Sequence, residues 1–184
     1  MQRKNPTEIL KEEHEIIKRN LNVLEIACQK IERNEKVSLD LFKKSVDFIK
    51  NFADKCHHAK EEKCLFPVLE KFGIPKEGGP IGVMLTEHDM GRNFVKGIVD
   101  GINKNNKKTI VENSLAYIQL LRDHIEKENN ILFTMADNIL TKNDSKGILE
   151  KFEEVEKKMG KGVHEKYKKL IDELEKELKN QPKI

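Results

Sequence analysis

The sequence predicts an all-α protein: an up-down-up-down four-helix bundle with an additional C-terminal helical segment. Three observations predict it. Pro (5) and Gly (10) are scarce among 184 residues, Trp is absent and Tyr occurs twice, which is too little turn and strand material for a β-sandwich or barrel. Long stretches place apolar residues at alternating three- and four-residue steps, the period of an amphipathic helix. Four of these stretches are comparable in length and joined by short breaker-rich segments, as antiparallel neighbours require.

The first helix is expected from about Thr7, an N-cap following Pro6 with Glu8 behind it, to about Arg33. The second runs from about Ser38 to Phe72, with Pro67 kinking its last turns. GIPKEGGP (Gly73 to Pro80) breaks the chain before a third helix, about Ile81 to Ile102. NKNNKK (Asn103 to Lys108) separates that from a fourth, about Thr109 to Leu140. After Thr141 to Asp144, a fifth segment from about Ser145 to Lys179 is amphipathic and can bend at Gly160 and Gly162. The bundle is thus assigned to residues 1–143 and the C-terminal segment to 144–184. Ile148, Phe152, Val155, Met159, Tyr167, Leu170, Leu174 and Leu178 give that segment an apolar stripe, which packs on the bundle or forms a homodimer contact. No internal repeat of solenoid length is visible.

Charge excludes several function classes. Lys+Arg 35 against Asp+Glu 32 leaves a net +3 with both signs interleaved, and NKNNKK is too short for a nucleic-acid footprint. No apolar run approaches the ~20 residues of a membrane span, and MQRKNPTEIL lacks a signal-peptide core. A soluble, cytoplasmic protein without a nucleic-acid or membrane partner is expected. Cys28, Cys56 and Cys64 form no disulfide framework; Cys56 and Cys64 lie about 12 Å apart along one helix, too far to bridge.

The helical seams carry the chemistry. Helix one reads Leu10, His14, Ile17, Leu21, Leu24, Cys28, Ile31; helix three reads Ile81, Leu85, His88, Arg92, Val95, Ile98, Ile102; helix four reads Ile110, Ser114, Tyr117, Leu121, His124, Glu128, Ile131, Met135. Each of these apolar faces holds a histidine, and an unpaired polar group there costs several kcal/mol. Helix two contains two HxxxE pairs, His57/Glu61 and His58/Glu62. Projection at ~100° per residue puts His57 roughly 40° and Glu61 roughly 80° from the inward direction, with His58 roughly 140° away and Glu62 nearly opposite. His57 and Glu61 are therefore read as inward, and His58 and Glu62 as a solvated helix face. Lys60 also projects inward, its stem packing while its ammonium escapes.

Residues four apart share a helix face, so each HxxxE pair aims an imidazole and a carboxylate at one point. With 23 Glu in 184 residues, six His should give fewer than one such pair by chance, and three occur. His14, His57, His88 and His124 with Glu61 and Glu128 supply four nitrogen and two carboxylate ligands, a set suited to iron, manganese or zinc. Two bridging carboxylates would hold two cations about 3.5 Å apart and so relieve their own repulsion.

The strings CHHAKEEKCLFP (Cys56 to Pro67), GPIGVMLTEHDMGR (Gly79 to Arg92) and LLRDHIEKENNILF (Leu120 to Phe133), preceded by LKEEHEII around His14, resemble the hemerythrin-like proteins of the HHE cation-binding type. The pattern H…HxxxE…H…HxxxE is similar to their repair-of-iron-centres branch. The resemblance covers about Glu8 to Leu140. It implies two iron ions (Fe2+/Fe3+), with room for an oxo or hydroxo bridge, held by His14, His57, His88 and His124 as terminal ligands and Glu61 and Glu128 as bridges. It implies a small-molecule ligand, O2, NO or peroxide, met in stress defence or iron-centre repair. Sensing or iron storage without turnover is the alternative. Oxygen-carrying members have a second histidine one turn after the third-helix ligand, where Arg92 stands here, which implies one iron with fewer histidines.

Four further residues are singled out. Tyr117, two turns before His124, either hydrogen-bonds a ligand or leaves its hydroxyl near solvent. Arg92 is expected in a structural ion pair, Cys56 as a small buried residue, and His164 at the surface.

Overall fold

A computed structural model of the chain describes residues 4–180. Among the described residues there are six helices and no strand. Helix α1 is Pro6–Glu32. Its N-cap is Asn5, one position beyond Pro6 from the expected Thr7. Pro fits the first helical turn, where no backbone donor is needed, and the Glu8 carboxylate accepts from the Asn5 N–H at 2.7 Å. Thr7 instead donates to Asp137 Oδ1 at 2.5 Å. Helix α2 is continuous over residues 39–71 behind the Ser38 cap, α3 is Pro80–Asn103, and α4 is continuous over 107–139 behind the Asn106 cap. The expected single C-terminal segment is two helices, α5 (Lys142–Met159) and α6 (Val163–Asn180). Gly160 and Gly162 between them take φ of 98° and 75°, left-handed values that end a helix outright instead of bending it.

Helices α1 to α4 pack around one axis in cyclic order, each beside the next and α4 beside α1. His14 lies near the start of α1, His57 late in α2, His88 early in α3 and His124 late in α4. The four therefore sit at one level only if the helices alternate in direction. The apolar interior divides at that level. One cluster, including Leu21, Leu24, Phe42, Phe52, Ile98 and Ile110, fills the bundle toward the 33–38 connection. The other, including Leu10, Phe66, Leu69, Ile81 and Phe133, fills the end toward the 72–79 connection.

Helices α5 and α6 fold back along α1 and α2. Ile148 and Phe152 join the second cluster, and Tyr167, Ile171, Leu174 and Leu178 join the first. Val155, Met159 and Leu170 are half-buried at the edges.

Two seams slip by one residue, and both slips begin at a glutamate. The Phe66 N–H donates to the Glu61 carbonyl, and the Phe133 N–H to the Glu128 carbonyl. These are i→i−5 bonds of π-helical turns, which insert one extra residue and cluster at functional sites. In α4 the expected seam residues Ile131 and Met135 consequently turn outward, 54% and 37% exposed, while Leu132, Phe133 and Ala136 are buried. In α2, Leu65, Phe66 and Leu69 are buried after the wide turn, and Val68 is half-buried. Residues Ile49–His58 of α2 are also π-helical. Pro67 follows the wide turn directly, in the first turn of the regular helix that succeeds it, where a missing backbone donor is tolerated.

Phe48 is buried between Phe52 (ring centroids 5.1 Å) and Tyr167 (5.7 Å) where α6 closes on α2. Phe48→Ala should lower unfolding free energy by about 3–5 kcal/mol in denaturant titration. A loss below about 1 kcal/mol would mean that α6 is not held by this contact.

Candidate metal centre

The six side chains expected to converge do so. Two overlapping groups could each hold a metal ion: His14, His57, Glu61 and Glu128, and His58, Glu61, His88 and His124, with donor atoms inside each group within 4.8 Å of one another. Glu61 faces His57 Nε2 at 3.2 Å through one oxygen and His88 Nε2 at 3.5 Å through the other. Glu128 Oε2 lies 3.2 Å from His14 Nε2 and 3.3 Å from His124 Nε2. Each carboxylate thus spans two histidines from different helices. His88 and His124 bring their Nε2 atoms to 3.2 Å.

His58 corrects the sequence reading. It is buried, and its ring stacks on His88 with centroids 3.8 Å apart and planes at 15°. The π-helical turns of Ile49–His58 carry about one residue more per turn than the ~100° projection assumes, rotating His58 inward. Five imidazoles therefore meet at the centre, and the second group keeps three histidines although Arg92 stands on α3. Burial, followed by the proximity of His88, holds His58 well below the usual imidazole pKa, so it stays neutral with a lone pair to offer.

What aims the imidazoles is a ring of outer hydrogen bonds that the sequence reading missed. His57 Nδ1 donates to Glu13 (2.9 Å), His88 Nδ1 to Glu62 (2.7 Å), His124 Nδ1 to Glu87 (2.8 Å) and His14 Nδ1 to Asn129 Oδ1 (2.8 Å). Each acceptor directly adjoins a donor residue of its own helix: Glu13 beside His14, Glu62 beside Glu61, Glu87 beside His88, Asn129 beside Glu128. So α1 orients α2, α2 orients α3, α3 orients α4, and α4 orients α1. An Nδ1–H engaged outward leaves Nε2 as the inward lone pair, the arrangement metal-ligating histidines adopt. Glu62 is accordingly no solvated residue: it also accepts from Arg92 at 2.7 Å. Arg92 is the structural ion pair expected, shared among Glu62, Asp54 and Asp89.

Buried atoms left without a protein hydrogen bond test whether cations fit. Both oxygens of Glu61, both of Glu128, and Nε2 of His14 and His57 are all buried and lack such a partner. Lone pairs of nitrogen and carboxylate oxygen facing each other at 3.2–3.5 Å repel unless positive charge stands among them. Nitrogen and carboxylate donors together suit a first-row transition cation. The fit is good.

The carboxylates draw protons by the same logic. Burial alone would lower His57 and His124, but Glu61 and Glu13 push the former up to about 10, and Glu128 and Glu87 do the same for the latter. Glu128 moves the opposite way: burial opposes its ionisation, and His124 and His14 hold it well below the carboxylate range.

The C-terminal helices reach this outer ring. Lys60 is fully buried, and its ammonium pairs with Glu13 and with Glu156 of α5 instead of escaping to solvent. His164, at the start of α6, is half-buried rather than free at the surface: Nε2 lies 3.0 Å from Glu13 and the ring meets Phe52 edge-on. Burial works against ionised Glu13, yet His164, His57 and Lys60 keep it an anion. Glu13, Cys56 and His164 also lie close enough to hold a cation, but the Lys60 ammonium already takes that charge. Cys56 is fully buried, its thiol pushed up to about 12 by burial, as expected of a packing residue.

Comparison with known proteins agrees with this chemistry. The family model for the hemerythrin HHE cation-binding domain matches residues 5–136. Uncharacterized proteins of Mycobacterium tuberculosis (Rv1995) and Mycobacterium bovis (Mb2018) are each 22% identical over 178 residues, covering 93% of this chain and 69% of theirs. The iron-sulfur cluster repair protein YtfE of Escherichia coli O157:H7 is 33% identical over 88 residues, which cover 44% of this chain and 40% of YtfE. No solved structure matches the chain.

Two outcomes follow from the geometry. Glu62→Ala should weaken metal binding about 10- to 100-fold in competition with a chromophoric chelator, whereas exposed Glu112→Ala should leave it unchanged; equal affinities would remove Glu62 from the ring. Near neutral pH, His57 and His124 carry protons at the nitrogens a metal needs. Binding of a divalent cation should therefore release about two protons per chain, read from the buffer dependence of the calorimetric enthalpy. Affinity should rise with pH up to about 10, where those two groups deprotonate unaided.

Proposed function

The chain belongs to the hemerythrin HHE cation-binding family, and on that premise we propose that it is a non-haem di-iron protein. It binds or reacts with O2, NO or peroxide, in the response to oxidative or nitrosative stress or in the repair of iron centres. The observation that carries this reading is the set of seven buried donors, His14, His57, His58, His88, His124, Glu61 and Glu128, grouped around two overlapping positions. In this reading His14 and His57 hold one iron, and His58, His88 and His124 the other. Glu61 and Glu128 bridge the pair. The donor set and the family membership support iron, and the likeness to YtfE supports the repair role.

Bound iron would supply a redox-active centre with a coordination position open to a small ligand. The chain's own residues do the rest. Asn129, Glu13, Glu62 and Glu87 hold the imidazoles in one tautomer and orientation. The apolar clusters on either side restrict water; Phe133 lies flat along His14, with centroids 5.6 Å apart and planes at 9°. Lys60 and Arg92 balance the outer carboxylates, so that the anionic charge directed at the cations is mainly that of Glu61 and Glu128.

Protein purified without added metal should contain two irons per chain by elemental analysis, and Glu128→Ala should lose most of that content and melt at a lower temperature. Wild-type protein free of iron, or a Glu128→Ala variant with full content, would overturn the assignment. Stopped-flow mixing of the reduced protein with O2, NO and peroxide then separates turnover from sensing or storage: an enzyme consumes the ligand, and a binding module saturates.

A further inference from the structure

The two halves of the bundle repeat each other around the centre. HxxxExxxLF occurs twice, as His57, Glu61, Leu65, Phe66 in α2 and as His124, Glu128, Leu132, Phe133 in α4. A Glu-His pair precedes each, Glu13-His14 in α1 and Glu87-His88 in α3. The halves are thus related by shifts of 74 residues (88 − 14) for α1 to α3 and 67 (124 − 57) for α2 to α4. Departures from this repeat mark where the two cation positions differ. His58 corresponds to Ile125, and Gly91 to Ile17. Both isoleucines are 1% exposed and fill their side of the centre.

On the other side the structure is open. A cavity of about 340 Å³ lies between α2, α3 and α4, with His58, His88, Gly91 and Tyr117 on its inner wall. It touches two of the histidines at the second position and none of the donors confined to the first. The Tyr117 hydroxyl is buried, not near solvent, and no protein group pairs with it. Leaving such a donor unsatisfied is costly, and buried hydroxyls normally have a partner. Gly91 keeps the space open: a Cβ there would stand 3.4 Å from the Tyr117 ring, and a longer side chain would occupy the cavity. At the rim Arg92 is committed to its carboxylates, including the rim residue Asp54, while Lys50 and Lys96 are exposed and lend a positive mouth.

Resting on the di-iron reading above, we propose that this cavity is the port and binding site for a small anionic ligand at the second cation position, with Tyr117 donating a hydrogen bond to the ligand's outer atom. The volume exceeds what a diatomic needs and leaves room for an anion of several heavy atoms together with water. The lysines draw it in, and on the corresponding face the buried side chains of Ile17 and Ile125 fill the equivalent space.

The test is azide binding to the iron-loaded ferric protein, followed by absorbance titration and stopped flow, with iron content and thermal melting measured for every variant. Tyr117→Phe, which removes the hydroxyl alone, should raise the azide dissociation constant about fivefold to tenfold. Gly91→Leu should slow association by more than about tenfold, and the double variant Lys50→Glu, Lys96→Glu should slow it and reverse the sign of its salt dependence. Iron content should stay at the wild-type value throughout. If Gly91→Leu fails to fold, the tyrosine and lysine variants decide the matter. Iron-loaded protein that does not bind azide, or binds it equally in all folded variants, overturns the port and leaves the di-iron reading standing. A wild-type chain that takes up no iron overturns both.

Discussion

The structure depends on a closed circuit of hydrogen bonds from four histidine Nδ1 atoms to residues on the adjacent helix. A bundle core gains most of its stability from apolar burial, and five imidazoles with two carboxylates interrupt that burial at mid-height. The circuit makes the interruption tolerable. It satisfies one nitrogen of four rings and turns the others to a common point, where a cation rather than water can meet them. Because every helix both gives and receives one link, a helix displaced along its axis would break two links at once. The polar layer therefore fixes the relative height of all four helices, which greasy side chains alone do loosely.

Much of this was legible in the chain. The seams of α1 and α3 survive almost residue for residue, because both are regular α-helices with a constant angular step. His14, His57, His88, His124, Glu61 and Glu128 were found from those seams and from HxxxE spacing. What escaped has one physical origin in α2 and α4. A π-helical turn adds a residue without leaving a mark in composition, so extrapolation at a fixed angle pointed Ile131 and Met135 inward and His58 outward. A signal was present: in both helices the apolar pattern after the glutamate proceeds by a further step of four to a Leu-Phe pair.

The ammonium of Lys60, the carboxylate of Glu62 and the ring of His164 escaped for a different reason. Their positions depend on tertiary partners, Glu13, His88 and the α5–α6 pair, that no periodicity reveals. A charged residue on an amphipathic helix is usually solvated, and that rule fails where a neighbouring helix offers the opposite charge in a buried setting. The C-terminal helices lie outside the family match, yet through Glu156 and His164 they bear on Glu13, and so on the orientation of His57. The centre's outer sphere extends past the bundle that encloses it.

The 72–79 connection has a role that its surface position hides. Since the two hairpins repeat one another and meet through equivalent links, the α3–α4 hairpin of one molecule could dock onto the α1–α2 hairpin of a second and restore every interaction. Only this joint distinguishes self-closure from exchange. It turns tightly, with Gly73 and Gly78 at φ of 87° and 65°, and a Cβ on Gly79 would lie 2.2 Å from the Pro75 carbonyl oxygen. The tight reversal sets the α3–α4 hairpin against the α1–α2 hairpin of the same chain, so that every donor at the centre is drawn from one molecule.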